Sequence, residues 1–544
     1  MATEVSPLLT QPKAHGSHVS LVEWAEVESL TRPEVEAPDE EETTSTCCGL
    51  RLPFSWRTLW AYAGPGWLMS IAYVDPGNLE SDLQAGAYGG YELIWVLFGA
   101  TVMGFFLQTL SARLGVVTGK NLAEVCYAMY PRWASYILWV MTEIAIVGSD
   151  IQEVLGSAIA LQLLFQLPLW VGCLITGVDT LTFLSLHQFG IRKLEAFFVA
   201  LIAVMLACFC MNLAQGGVDP IPVLDGFLPR PPSRYATTQA VGILGAVIMP
   251  HNFYLHSGLV QSRAVDRTNA RKVREANKYF TIESAVALFV SFLINLAVMC
   301  VFAKGFFSPD CLQSFETHGV NTACVPLNTS TTESYGSCQL MEGSRAMGVC
   351  QEIGLSGAGL ALRGVLDEYS ETIWAIGLLA AGQSSTMAGT YAGQFVMEGF
   401  LRIQLAPWKR VALTRAVALV PALAVAIWSD TQPGASDTIG EMLNVLQSIQ
   451  LPFALLPILH FTSHVGLMGA FVNSTTTKAA GWAVALLVCL VNLYLVVQKV
   501  DVSEMGPASL LAFFSAGTGY VAFLAYLVHM ELQQYAWYIW TRKN

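Results

Sequence analysis

Hydrophobic residues gather along this chain in long runs divided by short polar segments. Runs at 95–110, 197–213, 285–302, 479–497 and 510–529 carry almost no charge. A bilayer-spanning helix needs about 20 mostly apolar residues. The pattern predicts about twelve such spans, at 58–80, 91–112, 133–164, 168–186, 194–214, 238–260, 280–303, 368–388, 410–428, 438–461, 479–498 and 507–529. Two of them are interrupted. The first reads Gly64-Pro65-Gly66-Trp67-Leu68-Met69-Ser70-Ile71-Ala72-Tyr73-Val74-Asp75-Pro76-Gly77-Asn78-Leu79-Glu80. The sixth reads Gly245-Ala246-Val247-Ile248-Met249-Pro250-His251-Asn252-Phe253-Tyr254-Leu255-His256. An Asp at a helix centre costs about 2.5–3.5 kcal/mol on insertion scales. A proline inside a helix removes a donor and clashes with the turn before it, about 3 kcal/mol more. Such interruptions persist only where the freed backbone groups find partners. Simple kinks would not need Asp and Asn beside the first proline and Met, His and Asn beside the second. The breaks lie five spans apart, which predicts two five-helix repeats, spans 1–5 and 6–10. An odd number of spans inverts one repeat relative to the other. Paired broken helices mark the binding site of an inverted-repeat transporter. The fold class predicted is therefore an all-α polytopic membrane protein.

Composition agrees. Residues are 54% hydrophobic and only 12% charged, against about 25% charged in soluble globular chains. The first 45 residues lack the apolar core of a signal peptide and are rich in Glu, Ser, Thr and Pro. Residues 1–50 read as a disordered acidic cytosolic tail. Much of the net charge of −12 sits there and says little about the cargo. A transporter domain over 51–530 and a short cytosolic tail over 531–544 complete the chain. With the N-terminus in the cytosol, inside segments hold 22 of the 28 Lys and Arg residues. Basic residues favour the cytosolic side, so both termini are expected there.

That orientation places the long polar loop 305–358 in the lumen or outside the cell. It holds Cys311, Cys324, Cys338 and Cys350, disulfide candidates with three possible pairings. It also holds Asn328-Thr329-Ser330, an N-glycosylation acceptor. A second match at Asn473 falls on the cytosolic side, where no glycan is expected. The other cysteines read as small buried hydrophobes.

The two breaks offer a mixed ligand set. Asp75 supplies an anionic oxygen, Asn78 a neutral one three residues on, and Met249 a thioether. Mg²⁺ and Ca²⁺ prefer oxygen alone; the sulfur suits softer transition-metal ions. A lone Met in an apolar helix is usually packing, but this one stands beside a proline break opposite another. In span 3, Glu143, Asp150 and Glu153 are spaced by 7 and 3 and share one helical face. Three carboxylates in one span need water, a partner or a proton path. His251 and His256 can titrate near neutral pH, and Arg415 is a candidate counter-charge. The plain structural reading is an ion-pair network that only joins helices.

Asp75-Pro76-Gly77-Asn78 and Met249-Pro250-His251-Asn252 resemble the signature pair of the Nramp (natural resistance-associated macrophage protein) metal transporters, close to the animal branch. The run 382–400, GQSSTMAGTYAGQFVMEGF, resembles that family's transport signature and is expected between spans 8 and 9. The likeness covers about residues 55–530. It implies a LeuT-like fold and a metal held by Asp75, Asn78 and Met249, with the carbonyls of Ala72 and Ala246. Bacterial members add a Gln from span 10; here that place is Asn444. It further implies a proton route through Asp75, His251, Asp150, Glu153 and Arg415. His256 is a candidate beside that route, and Glu143 stands nearer the membrane surface. The implied function is proton-coupled import of Fe²⁺ or Mn²⁺, with Co²⁺, Cd²⁺ or Zn²⁺ as further cargo, into the cytosol. No tightly bound cofactor, enzymatic role or nucleic-acid partner is expected.

Rival readings are a Mg²⁺ carrier and a Na⁺-coupled amino-acid transporter of the same fold. Met249 argues against both. A metalloprotease lacks its His-Glu-x-x-His. Glu4-Val5-Ser6-Pro7-Leu8-Leu9 resembles an acidic dileucine signal, with Glu4, Leu8 and Leu9 as contacts for sorting adaptors. It points to endosomes, lysosomes or a vacuole, with the plasma membrane as the alternative. Cys47-Cys48 is a palmitoylation candidate.

Overall fold

The computed structural model describes residues 54–543 apart from 187–190, 319, 328–333, 341–346, 403–406, 432–434 and 500–505. Glu4, Leu8, Leu9, the Cys47-Cys48 pair and Asn328 lie outside the described residues. The helices run in order as α1 (Trp56–Tyr62), α2 (Pro65–Ile71), α3 (Pro76–Gly89), α4 (Ile94–Thr118), α5 (Leu122–Met129), α6 (Arg132–Phe165), α7 (Leu169–Leu186) and α8 (Ile191–Gly216). They continue as α9 (Pro220–Asp225), α10 (Thr237–Val247), α11 (His251–Leu259), α12 (Ala270–Phe306) and α13 (Leu312–His318). After a small sheet follow α14 (Leu355–Val365), α15 (Ser370–Leu401), α16 (Pro407–Thr431), α17 (Ala435–Gln450), α18 (Pro452–Ser463), α19 (Val465–Met468), α20 (Thr475–Lys499) and α21 (Pro507–Lys543).

All twelve expected spans meet a helix or a helix pair. Among the described residues, seven helical stretches are long and apolar enough to cross a membrane by themselves, such as Ala270–Phe306 and Thr475–Val497. Spans 1 and 6 are split, into α2/α3 and α10/α11. Counting α2/α3, α4, α6, α7 and α8 as one set and α10/α11, α12, α15, α16 and α17/α18 as the other gives five and five. Each set opens on its broken helix, the LeuT-like arrangement. Large apolar side chains stay uncovered on outer faces, such as Phe289 on α12 and Leu486 and Leu493 on α20. Only a lipid solvent suits that distribution.

Span 10 keeps helical geometry across Pro452: Leu451 has φ −53° and ψ −41°, and Ala435–Ser463 runs as one apolar stretch. The structure differs from the pattern-based expectation in two places. The transport signature 382–400 is not a connection between spans 8 and 9. It lies inside α15, which runs unbroken to Leu401. Its Gly, Ala, Ser and Thr content lowered the apolar signal, but such small residues let membrane helices approach closely. Finally, the polar loop adds a little β-structure to an otherwise helical chain. β1 (Ala323–Pro326), β2 (Ser337–Gln339) and β3 (Met347–Gln351) form an antiparallel sheet of order β1-β3-β2. Cys324 stands opposite Cys350 in the register. The disulfides join Cys311 to Cys350 and Cys324 to Cys338. At Asn473 the side chain is buried and donates to Thr462 Oγ1 at 2.8 Å, a place with no room for a glycan.

Candidate metal and proton site

The first break begins where α2 runs out. Its last amides fall back on tight turns: Ala72 N to Met69 O, Tyr73 N to Ser70 O and Val74 N to Ile71 O, at 3.0–3.1 Å. Asp75 is extended, with φ −82° and ψ 171°, and caps α3 by accepting from Asn78 N at 2.8 Å. An acidic N-cap suits the amide-rich start of a helix. The second break is similar. Ile248 leaves helical geometry with φ −110° and ψ 73°, and α11 restarts at His251.

The prolines explain which carbonyls are set free. In a helix the N–H of residue i bonds the carbonyl of i−4. Pro76 has no N–H for Ala72, and Pro250 has none for Ala246. Both carbonyls implied by the resemblance are thus the orphans of the two prolines. Other break carbonyls are already used: Asn295 of α12 donates to Tyr73 O and Ser291 to Ser70 O, each at 2.8 Å.

Asp75, Asn78 and Met249 are all buried. The Asn78 amide lies beside the Asp75 carboxylate. Neither its oxygen nor its nitrogen has a hydrogen-bond partner among the described residues. Buried amides are normally satisfied, so this one is a ready ligand. Helix α6 connects the breaks. Ser149 Oγ lies 4.0 Å from Met249 Sδ and donates to Glu153 Oε1 at 3.3 Å, and Glu153 interacts electrostatically with Asp75.

Asn444 has a different place from an open ligand. Its Oδ1 accepts from Gln152 Nε2 at 2.9 Å and its Nδ2 donates to Gly77 O at 3.2 Å. Its own carbonyl presses against Gly245 of α10. It therefore ties the two breaks together. Gln447 donates to Gln152 Oε1 at 3.0 Å, while its own Oε1 has no partner among the described residues.

Asp150 and Glu153 meet Arg415, with Arg415 Nη1 3.4 Å from Asp150 Oδ1 and Nη2 3.6 Å from Glu153 Oε2. Arg415 also donates to the Thr386 carbonyl and to Thr390 Oγ1. Both threonines belong to the transport signature. Between them lies Gly389, where a Cβ would stand 2.6 Å from Asp150 Oδ1 and 3.3 Å from Glu153 Oε1. The glycine makes room for the carboxylate pair. His251 is buried at the start of α11 with Nδ1 unpartnered. His256 is buried in the second half of α11, near Gln108. Glu143 stands apart from the Arg415 group. It is half-buried and accepts from Trp139 Nε1 at 2.9 Å.

Sequence reasoning passed over several buried polar groups. Glu283 of α12 accepts from Gly64 N at 2.5 Å, Gly66 N at 3.0 Å and Trp67 N at 3.3 Å, holding the start of α2. Arg263 pairs with Glu195 at 2.6 Å and donates to Ala63 O at 2.7 Å. Gln152, Ser149, Glu80 and Asp82 are also buried. The signal that exposed Asp150, an ionisable group in an apolar span, applies equally to Glu283, Glu80 and Asp82.

A profile of the family described as natural resistance-associated macrophage protein-like matches residues 66–498. The chain is 50% identical over 454 residues to the "Metal transporter nramp1 homolog" of Dictyostelium discoideum, covering 83% of this chain and 77% of that protein. It is 48% identical over 487 residues to "Natural resistance-associated macrophage protein 2" of Homo sapiens, covering 88% and 82%. Among solved structures it resembles the manganese transporter of Eremococcus coleocola, with a TM-score of 0.71 and 28% identity over 89% of this chain and 96% of that one.

Proposed function

Because the chain belongs to the natural resistance-associated macrophage protein (Nramp) family of membrane transporters, we propose that it carries divalent transition-metal ions, Fe²⁺ and Mn²⁺ foremost, into the cytosol together with protons. One observation carries this reading. Two broken helices carry Asp75 with the unpartnered Asn78 amide on one side and Met249 on the other, and α6 meets both through Ser149 and Glu153. Oxygen alone would suit Mg²⁺ or Ca²⁺. The added sulfur of Met249 favours softer ions.

The ligands are Asp75, Asn78, Met249 and the carbonyls of Ala72 and Ala246. Asn444 acts as a positioning residue that sets the distance between the breaks. Metal binding at Asp75 releases a proton from its carboxylate. Asp150, Glu153 and Arg415, with His251 beside them, receive and pass that proton toward the cytosol. The broken helices then shift to alternate access, with α2 released from Glu283. Both termini face the cytosol, the disulfide loop faces the lumen or the exterior and carries a glycan at Asn328, and the N-terminal dileucine engages sorting adaptors that deliver the protein to an acidic endosomal or lysosomal membrane.

Asp75→Ala tests this reading. Uptake of radioactive Mn²⁺ should fall below about a tenth of wild type, a loss of at least about 1.4 kcal/mol in transition-state stabilisation, while surface labelling finds the same amount of protein in the membrane. Unaltered uptake would contradict it.

A further inference from the structure

Past the first break, α3 carries a buried carboxylate that the reading above does not use. Glu80 lies five residues beyond Asp75, toward the disulfide loop. Tyr88, farther along the same helix, donates to Ile353 O at 3.0 Å. The Glu80 side chain is 3% exposed, and its Oε1 has no hydrogen-bond partner among the described residues. The charges it meets are those of Asp437 and Glu441 on α17. Its carboxylate lies in the space that Gly440 leaves, where a Cβ would meet Glu80 Oε2.

The spacing on α17 is regular. Asp437, Gly440, Glu441 and Asn444 follow at intervals of three, one and three and share one helical face. At one end of that face Asn444 holds Gly77 O beside the metal ligands. At the other, Asp437 Oδ2 accepts from Ser356 Oγ at 2.8 Å, at the base of the disulfide loop. Exposed Glu352 interacts electrostatically with both Asp437 and Glu441. Exposure thus falls from Glu352 through half-buried Asp437 and Glu441 to buried Glu80. These like charges act on one another across α3 and α17 and repel. A buried carboxylate oxygen left without a donor is costly. A divalent cation answers both costs at once.

We propose that Glu80, Asp437 and Glu441 form a second divalent-cation site on the loop side of the membrane domain, where an incoming ion is held before it reaches Asp75, Asn78 and Met249. The donors are all carboxylate oxygens, so this site takes Mn²⁺, Mg²⁺ and Ca²⁺ alike. Selection falls to the sulfur-bearing site beyond it. The proposal rests on the inner site being the metal site. A negatively lined cleft raises local cation concentration and association rates tenfold or more.

The test uses the full-length protein in lipid nanodiscs and Mn²⁺ as the probe. Equilibrium dialysis should find a tight and a weaker Mn²⁺ equivalent on the wild type. Glu80→Gln should remove the weaker and keep the tight one. In proteoliposomes it should raise the KM for Mn²⁺ about tenfold, with kcat little changed. Glu80→Asp should restore the weaker equivalent in part. Asp75→Ala should remove the tight equivalent and keep the weaker, so failure of the inner-site reading shows in that variant alone. If Glu80→Gln does not fold, the paired substitution Asp437→Asn with Glu441→Gln must lose the weaker equivalent instead. A single Mn²⁺ equivalent on wild type, or an unchanged KM and binding count in whichever of these variants folds, overturns the proposal.

Discussion

Met249 sits fully buried between Ser149 and the second proline break, with its sulfur 4.0 Å from a hydroxyl. Its thioether is the softest donor of the proposed site, and under that proposal it separates transition metals from Ca²⁺ and Mg²⁺. Met249→Ala should keep part of the Mn²⁺ uptake and admit Ca²⁺ or Mg²⁺ better, which competition flux measures. Unchanged discrimination would assign selectivity elsewhere. The proposed ligands stand out in the sequence itself. Asp75, Asn78 and Met249 are conspicuous because each stands beside a proline inside an apolar run. Ala72 and Ala246 came from the resemblance alone, and helix geometry makes them the i−4 partners of Pro76 and Pro250. The role of Asn444 was not readable. Its bonds to Gln152 and Gly77 cross 292 and 367 residues of chain, a separation that no local pattern encodes.

Among the elements, α15 shows why close helix contact decides function here. Gly389 faces Asp150 and Glu153, whose only described cationic partner is Arg415. Gly389→Leu would drive a side chain into that pair. Overpacking costs about 1–3 kcal/mol, and separating a buried charge from its partner about 3–5 kcal/mol. The variant should reach the membrane in reduced amount and lose proton-coupled uptake. Quantitative surface labelling beside flux checks this; wild-type flux per molecule would contradict it. The same small residues hid α15 from a hydropathy reading, which ended the span at 388 rather than Leu401. Pro452 leaves span 10 one helical stretch, as its apolar pattern expected. The proline orphans the Ser448 carbonyl, and Asn492 of α20 takes it at 2.7 Å.

For the whole molecule, the inverted arrangement of two five-helix sets was legible from the spacing of the breaks alone. The disulfide loop was legible only as a redox compartment, since four cysteines leave three pairings open. The Cys311–Cys350 link closes 39 residues of chain, worth about 4 kcal/mol in the chain-entropy account. Replacing both cysteines with Ser should lower the thermal stability of the purified protein. It should leave the tight Mn²⁺ affinity unchanged, because among the described residues no bond joins the loop to Asp75, Asn78 or Met249. A lost tight site would tie the loop to the metal instead. The unification of metal and proton movement is tested most directly in proteoliposomes, following Mn²⁺ entry and internal pH at once. An inward proton gradient should speed Mn²⁺ entry, and the lumen should acidify with it, in wild type and not in Asp75→Ala. Mn²⁺ entry that ignores the gradient and moves no protons would contradict a shared path through Asp75.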